Sequence, residues 1–277
     1  DGLTDDVARA WVAAAKLNGL YWDEGEARLY LTDDASNSLR LWDGKKSFGS
    51  FAALPPAPQS GATLGQLTRT ADKTFYVTRF GFGTDGTVIA IPKSGSAVNL
   101  AGLDPLRRRI GVTTTDDGGL LDGWFVKGAT GSVSRLNVSG GTATEQELIN
   151  GLGKPVGLAV AGDKVYVGDQ NSGSILSYSL KQISAQPANL ADGKVVATFT
   201  TLDGIDLMTA ASDGTLFFGG SGGKLFKINP KGETSVLVSG WPKIIGVAFD
   251  EKNRRLFAAV GAADSSGDAS VRIVPID

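Results

Sequence analysis

The chain has no cysteine and no histidine among its 277 residues. Lack of cysteine excludes disulfides, thiolate metal sites and cysteine nucleophiles. Lack of histidine excludes a Ser-His-Asp triad, a histidine general base and histidine-bound zinc, iron or copper. Any chemistry must rest on carboxylates, amides, lysine, arginine, tyrosine or a hard cation held by oxygen ligands. An excess of one charge is missing too. The 27 basic and 29 acidic residues give a formal charge of −2, so nothing pulls the chain generally toward nucleic acid or an anionic membrane. No apolar run approaches the roughly 18 residues of a membrane-spanning helix.

What is abundant is glycine, at 38 residues, and no long segment has helical periodicity. Both facts favour short strands joined by tight turns. A glycine followed by a short extended run recurs at Gly19, Gly65, Gly111, Gly157, Gly204 and Gly246. These lie roughly 42–47 residues apart, the period of propeller blades. Each is followed by a second apolar run: Leu29-Tyr30-Leu31, Phe75-Tyr76-Val77, Trp124-Phe125-Val126, Val165-Tyr166-Val167, Leu216-Phe217-Phe218 and Leu256-Phe257-Ala258. Third strands are expected at 38–42, 87–91, 132–136, 174–178, 224–228 and 270–274, and fourth strands at 48–54, 97–100, 144–149, 194–200 and 234–238. The sixth repeat has no fourth strand of its own. Segment 8–16 has no partner, so it is expected to supply that outer strand and close the ring. Its alanine content also permits a short helix capped by Thr4. The expected fold is an all-β, six-bladed β-propeller with four-stranded blades, forming a single domain over 1–277.

Residues 22–30 and 249–257 align without a gap, and the charges within them read as solvated hairpin-turn chemistry. The stretch 81–86 satisfies G-x-G-x-x-G, but a strand follows it where a nucleotide site needs a helix, so it reads as a hairpin loop. Asp116-Asp117-Gly118-Gly119 lacks calcium-loop spacing and reads as a turn. The first residue, Asp1, is not methionine. Export to a periplasmic or secreted location, with a leader removed, is expected from this, a shortened chain being the alternative.

In this architecture a pocket belongs at the mouth of the central channel, where the blades' inner strands meet. The residues just before the six glycines, Asn18, Leu64, Ile110, Val156, Asp203 and Ile245, are expected to ring it. Loops on the same face begin at Asp33, Arg79, Lys127 and Asp169, and the run Arg107–Arg109 precedes blade 3. The rim would then be basic on blades 2 and 3 and acidic on blades 1, 4 and 5, an arrangement able to orient a carboxylate or phosphate. Expected ligand contacts are Asn18, Asp33, Arg79, Arg109, Val156, Asp169 and Asp203.

Three stretches carry a family likeness. They are Asn18-Gly19-Leu20-Tyr21-Trp22 with the strand ending at Asp33, Pro155-Val156-Gly157-Leu158 with the strand ending at Asp169, and Leu202-Asp203-Gly204-Ile205 with Asp213-Gly214-Thr215-Leu216. They resemble blades of the senescence-marker-protein/gluconolactonase/regucalcin family. The resemblance implies a divalent cation, calcium or zinc, at the channel centre, held by a glutamate, two asparagines and an aspartate and supporting lactone or ester hydrolysis. Asp203 matches the aspartate. Asn18 stands for the glutamate, Val156 for one asparagine, and Ile110 for the other, or Asp116 if blade 3 is shifted. Asp203 and Asn18 are too few oxygen ligands for a tight calcium site. The expectation is a gluconolactonase-like propeller that binds a small molecule, anionic in character, or a partner at the channel mouth, without a full divalent-metal site. The alternatives are a lactone or ester hydrolase with a modified site, and a scaffold for protein or glycan.

Overall fold

The computed structural model describes residues 8–12, 15–58, 63–262 and 269–277. They form six antiparallel sheets arranged as a six-bladed propeller. Blade 1 is Leu17–Asp23, Arg28–Asp33, Ser38–Trp42 and Phe48–Ala53. Blade 2 is Leu64–Arg69, Phe75–Arg79, Thr87–Ile91 and Val98–Asn99. Blade 3 is Arg108–Thr114, Leu120–Phe125, Gly131–Ser139 and Thr142–Leu152, with Ala188–Asn189 added in parallel at its edge. Blade 4 is Pro155–Ala161, Lys164–Asp169, Ser174–Ser179 and Lys194–Thr198. A short helix, Leu180–Ala185, interrupts it before its outer strand. Blade 5 is Ile205–Ala210, Leu216–Gly220, Leu225–Ile228 and Thr234–Val238.

Blade 6 comprises Ile244–Asp250, Arg255–Val260 and Ala269–Pro275. Its outer strand is Ala8–Val12, paired antiparallel from Ala8 opposite Ile273 to Val12 opposite Ala269. That stretch is extended, not helical; the Thr4 cap lies outside the described residues. Each inner strand packs against the next, and the sixth against the first.

Strand alternation sends neighbouring side chains to opposite faces, so each blade feeds two interfaces. In blade 1, Leu29 and Leu31 join Phe257 and Ala259 of blade 6, while Tyr30 joins Leu67, Phe75 and Val77 of blade 2. Six apolar clusters result, one for each blade interface. Full burial of each such Leu or Phe contributes about 1.5–3 kcal/mol, which makes the interfaces the main source of cohesion.

The hairpin charges of the first and last blades are not all solvated. Asp23 and Asp250 are buried. Asp23 accepts from Glu26 N and pairs with Arg69 at 2.8 Å, and Asp250 pairs with Arg255 at 2.6 Å. A carboxylate that holds its own turn amide and meets a guanidinium from a neighbouring strand is drawn inward.

Candidate functional site

The same irregularity recurs in every inner strand and fixes the repeat register. Leu17 pairs with Asp33 and Leu20 with Leu31; Leu64 with Arg79 and Leu67 with Val77; Ile205 with Gly220 and Met208 with Phe218. Backbone bonds agree: the amides of Asp34, Phe80, Gln170, Ser221 and Gly261 donate to Lys16, Thr63, Lys154, Gly204 and Lys243. The column facing the channel mouth is therefore Asn18, Gly65, Ile110, Val156, Asp206 and Ile245. All six line one depression of about 220 Å3, together with Phe80, Lys154, Gln170 and Lys243.

The next column inward is Gly19, Gln66, Gly111, Gly157, Leu207 and Gly246. Its glycines allow the inner strands to approach: a Cβ on Gly246 would stand 2.1 Å from the Asn18 carbonyl oxygen, and one on Gly111 3.0 Å from that of Val156. Gln66 uses the space they leave. Its Nε2 donates to the carbonyls of Leu158 and Met208, both at 3.2 Å, and its Oε1 accepts from Val112 N at 3.3 Å. One amide thus ties blade 2 to blades 3, 4 and 5. Gln66 lies in the wall of another cavity, of about 280 Å3, lined by Thr68, Thr113, Thr114 and Thr209.

This geometry redistributes the residues expected at the site. Asn18 and Val156 line the depression. Asp203 does not: Gly204 falls two residues before the mouth column and three before the inward one, so the aspartate of blade 5 at the mouth is Asp206. Asp203 instead accepts from Thr200 N at 3.0 Å and Thr200 Oγ1 at 2.8 Å and pairs with Lys224 at 2.8 Å. The Lys224 ammonium leads in holding its carboxyl below the usual range. Leu64 lies one position earlier than expected, although it still borders the depression. Asp116 borders the other cavity.

The polarised rim is replaced by internal ties. Asp33 is buried, accepts from Lys16 N at 2.9 Å and pairs with Arg40 at 2.7 Å. Asp169 does the equivalent in blade 4, accepting from Gly153 N and Lys154 N. Arg79 is buried and donates to Asn37 Oδ1 at 2.7 Å and Pro55 O at 2.9 Å, clamping the link between blades 1 and 2. Arg109 borders the depression, but its charge is taken up by Asp122 and Glu145. These four charges are spent inside the blades because turn amides and link carbonyls lie closer than any ligand could.

The working charges at the mouth are others. Asp206 accepts from Leu207 N at 3.1 Å and lies 3.6 Å from Lys243 Nζ; burial pushes its carboxyl up. Lys154 is half-buried, and burial pushes its ammonium down. Among the described residues it has no ion-pair partner; its Nζ lies 5.8 Å from the centre of the Phe125 ring. Asn18 Nδ2 is buried and faces the Asp34 carboxyl, which it helps to keep charged against burial. The depression thus holds one carboxylate, two ammonium groups and an amide turned toward Asp34.

These residues were legible in part. A basic residue stands three positions before the repeat glycine in four blades: Lys16, Arg108, Lys154 and Lys243. That pattern was the signal for the lysines. For Gln66 it was a lone amide within the otherwise apolar and small start of its strand.

The mouth column does not fit a divalent cation. It supplies one carboxylate and one amide, against six to eight oxygens for calcium, and an ammonium already faces the carboxylate. Among the described residues no three acidic side chains converge on a common point.

No protein-family model matches the chain. No curated protein matches it in sequence. Solved structures do match in fold. A gluconolactonase from Xanthomonas campestris superposes with a TM-score of 0.70 at 18% identity, covering 97% of this chain and 88% of that one. The fold is that of the gluconolactonase-like propellers. Regucalcin from Agrobacterium tumefaciens, a calcium-binding protein, gives 0.68 at 14% identity over 96% and 92% of the two chains. The PQQ-bound aldose sugar dehydrogenase of Streptomyces coelicolor gives 0.72 at 14% over 97% and 96%. Proteins of different chemistry share this frame, so function must be argued from the mouth itself. Among the described residues no helix is long and apolar enough to cross a membrane.

Proposed function

We propose that this gluconolactonase-like propeller binds a small organic anion, a carboxylate foremost, at the mouth of its central channel, with lysine ammonium groups acting where a relative would use a divalent ion. The observation that carries this reading is Lys154, a half-buried ammonium in the depression that has no ion-pair partner among the described residues. A half-buried cation is improved by an incoming oxyanion, since it gains a charge-assisted hydrogen bond. Asp206 and Lys243 neutralise one another, which leaves the depression net positive.

Isothermal titration with acetate, gluconate and calcium tests the reading. The carboxylates are expected to bind and calcium to give no saturable heat. Lys154→Ala removes one charge-assisted bond, about 1.5–3 kcal/mol, and is expected to weaken carboxylate binding by about 10- to 100-fold. Calcium-dependent lactone turnover abolished in Asp206→Asn would replace this reading with a hydrolase.

A further inference from the structure

We infer that the ligand's anionic group carries a flat apolar body, of the aryl-carboxylate class, and that Phe80 and Phe82 form the ledge on which that body lies. This rests on the anion reading above and adds a second contact region to it.

Phe80 lines the depression. Phe82 meets it edge-on, with centroids 5.0 Å apart and planes at 78°, yet remains 45% exposed. Phe125 lies 5.8 Å from Phe80 on the other side, beneath Lys154. An aromatic surface therefore runs outward from the unpaired ammonium. Arg108 backs it, with its guanidinium 5.2 Å from the Phe80 centroid and its Nη2 donating to Phe82 O at 3.0 Å. Among the described residues Arg108 has no carboxylate partner, and its Nε is buried without an acceptor.

The ledge is built, not incidental. Phe82 has φ of 50°, between Gly81 at 63° and Gly83 at 88°. A bulky residue in the left-handed region is strained, and such strain persists only where the surroundings enforce it. Here the loop is pinned at its base: Gly86 N donates to Pro105 O at 3.0 Å, and a Cβ on Gly86 would collide with Arg107 O at 1.8 Å. A phenyl ring held out to water on a pinned, strained loop, continuous with a charged depression, suits an amphiphilic anion whose ring stacks while its carboxylate meets Lys154.

The experiment compares 3-phenylpropionate with acetate by titration calorimetry on the wild-type chain, Phe82→Gly and the remote surface control Val236→Ala. Glycine relieves the φ strain, so Phe82→Gly retains the fold, as its thermal midpoint will report. Saturation-transfer NMR on 3-phenylpropionate supplies a second readout from the ring protons. The expected result is tighter binding of 3-phenylpropionate than acetate, by about fivefold or more, and loss of most of that preference in Phe82→Gly, with acetate affinity and Val236→Ala unchanged. Equal affinities for the two anions, or a preference that survives Phe82→Gly, would overturn the aromatic ledge and leave the anion site standing. Failure of both anions to bind would remove the anion reading and this inference together.

Discussion

Removal of the Gln66 amide is the sharpest physical test of the channel. Its three hydrogen bonds to backbone groups of blades 3, 4 and 5 contribute about 1 kcal/mol each. Their distances of 3.2–3.3 Å place them toward the weaker end, so Gln66→Ala is expected to cost about 2–3 kcal/mol. A chain of 277 residues has an unfolding entropy of about 0.6 kcal/mol/K, so the thermal midpoint should fall by about 3–5 °C. Gln66→Leu separates bonding from filling. It keeps apolar volume but offers no donor or acceptor, and it keeps water from the freed carbonyls, so it should cost at least as much as alanine. Differential scanning calorimetry reads both variants. A Gln66→Ala midpoint within about 1 °C of wild type would refute the reasoning, because three bonds of ordinary strength cannot vanish at so little cost.

Anion affinity should rise as pH falls into the elevated Asp206 titration, since protonation removes the depression's negative charge. It should fall at high pH, where Lys154, its pKa lowered by burial, deprotonates earlier than an exposed lysine. An aryl sulfonate, charged throughout, gives this profile by calorimetry; Asp206→Asn should flatten the acidic limb and, by removing the charge that supports the Lys154 ammonium, move the basic limb to lower pH. Gly246→Ala, with a Cβ 2.1 Å from Asn18 O, should cost more than about 3 kcal/mol in denaturant unfolding, whereas Gly49→Ala, with nothing within 4 Å, should stay within about 0.5 kcal/mol. Burial pushes the Asp122 carboxyl up to about 6, yet Arg109 beside it is buried and permanently charged. Asp122→Ala should therefore destabilise by about 3–5 kcal/mol, and the double change Arg109→Met, Asp122→Ala should recover much of that loss.

The six-fold repeat was plain in the sequence because glycine at the crowded channel and paired apolar strands recur at one period. The strand set followed from it, including the outer strand of segment 8–16. Register failed in two blades for a physical reason. In blade 2 glycine occupies the mouth column and Gln66 the inward one, so matching glycine to glycine slips by one residue. In blade 5 Leu207 takes the inward position, and the nearest glycine, Gly204, serves a left-handed turn at φ 53°. That slip named Asp203 where Asp206 belongs. Burial misled in the same way. Asp33, Arg79, Arg109 and Asp169 looked like rim charges, but a linear sequence does not show that turn amides and carbonyls from distant segments enclose them.

The outer strand of blade 6 also sets a clock for folding. Ala8 pairs with Ile273, about 260 residues away along the chain, a separation that slows closure of the ring. At synthesis rates of about 5–20 residues per second, the strand Ala8–Val12 waits roughly 13–50 s before its partner strand exists. Through that interval it is an unpaired strand with free backbone donors and acceptors, open to pairing with another nascent chain. A ribosome crowded with neighbours producing the same protein is therefore where a domain-swapped dimer, each copy lending its first strand to the other's last blade, would arise.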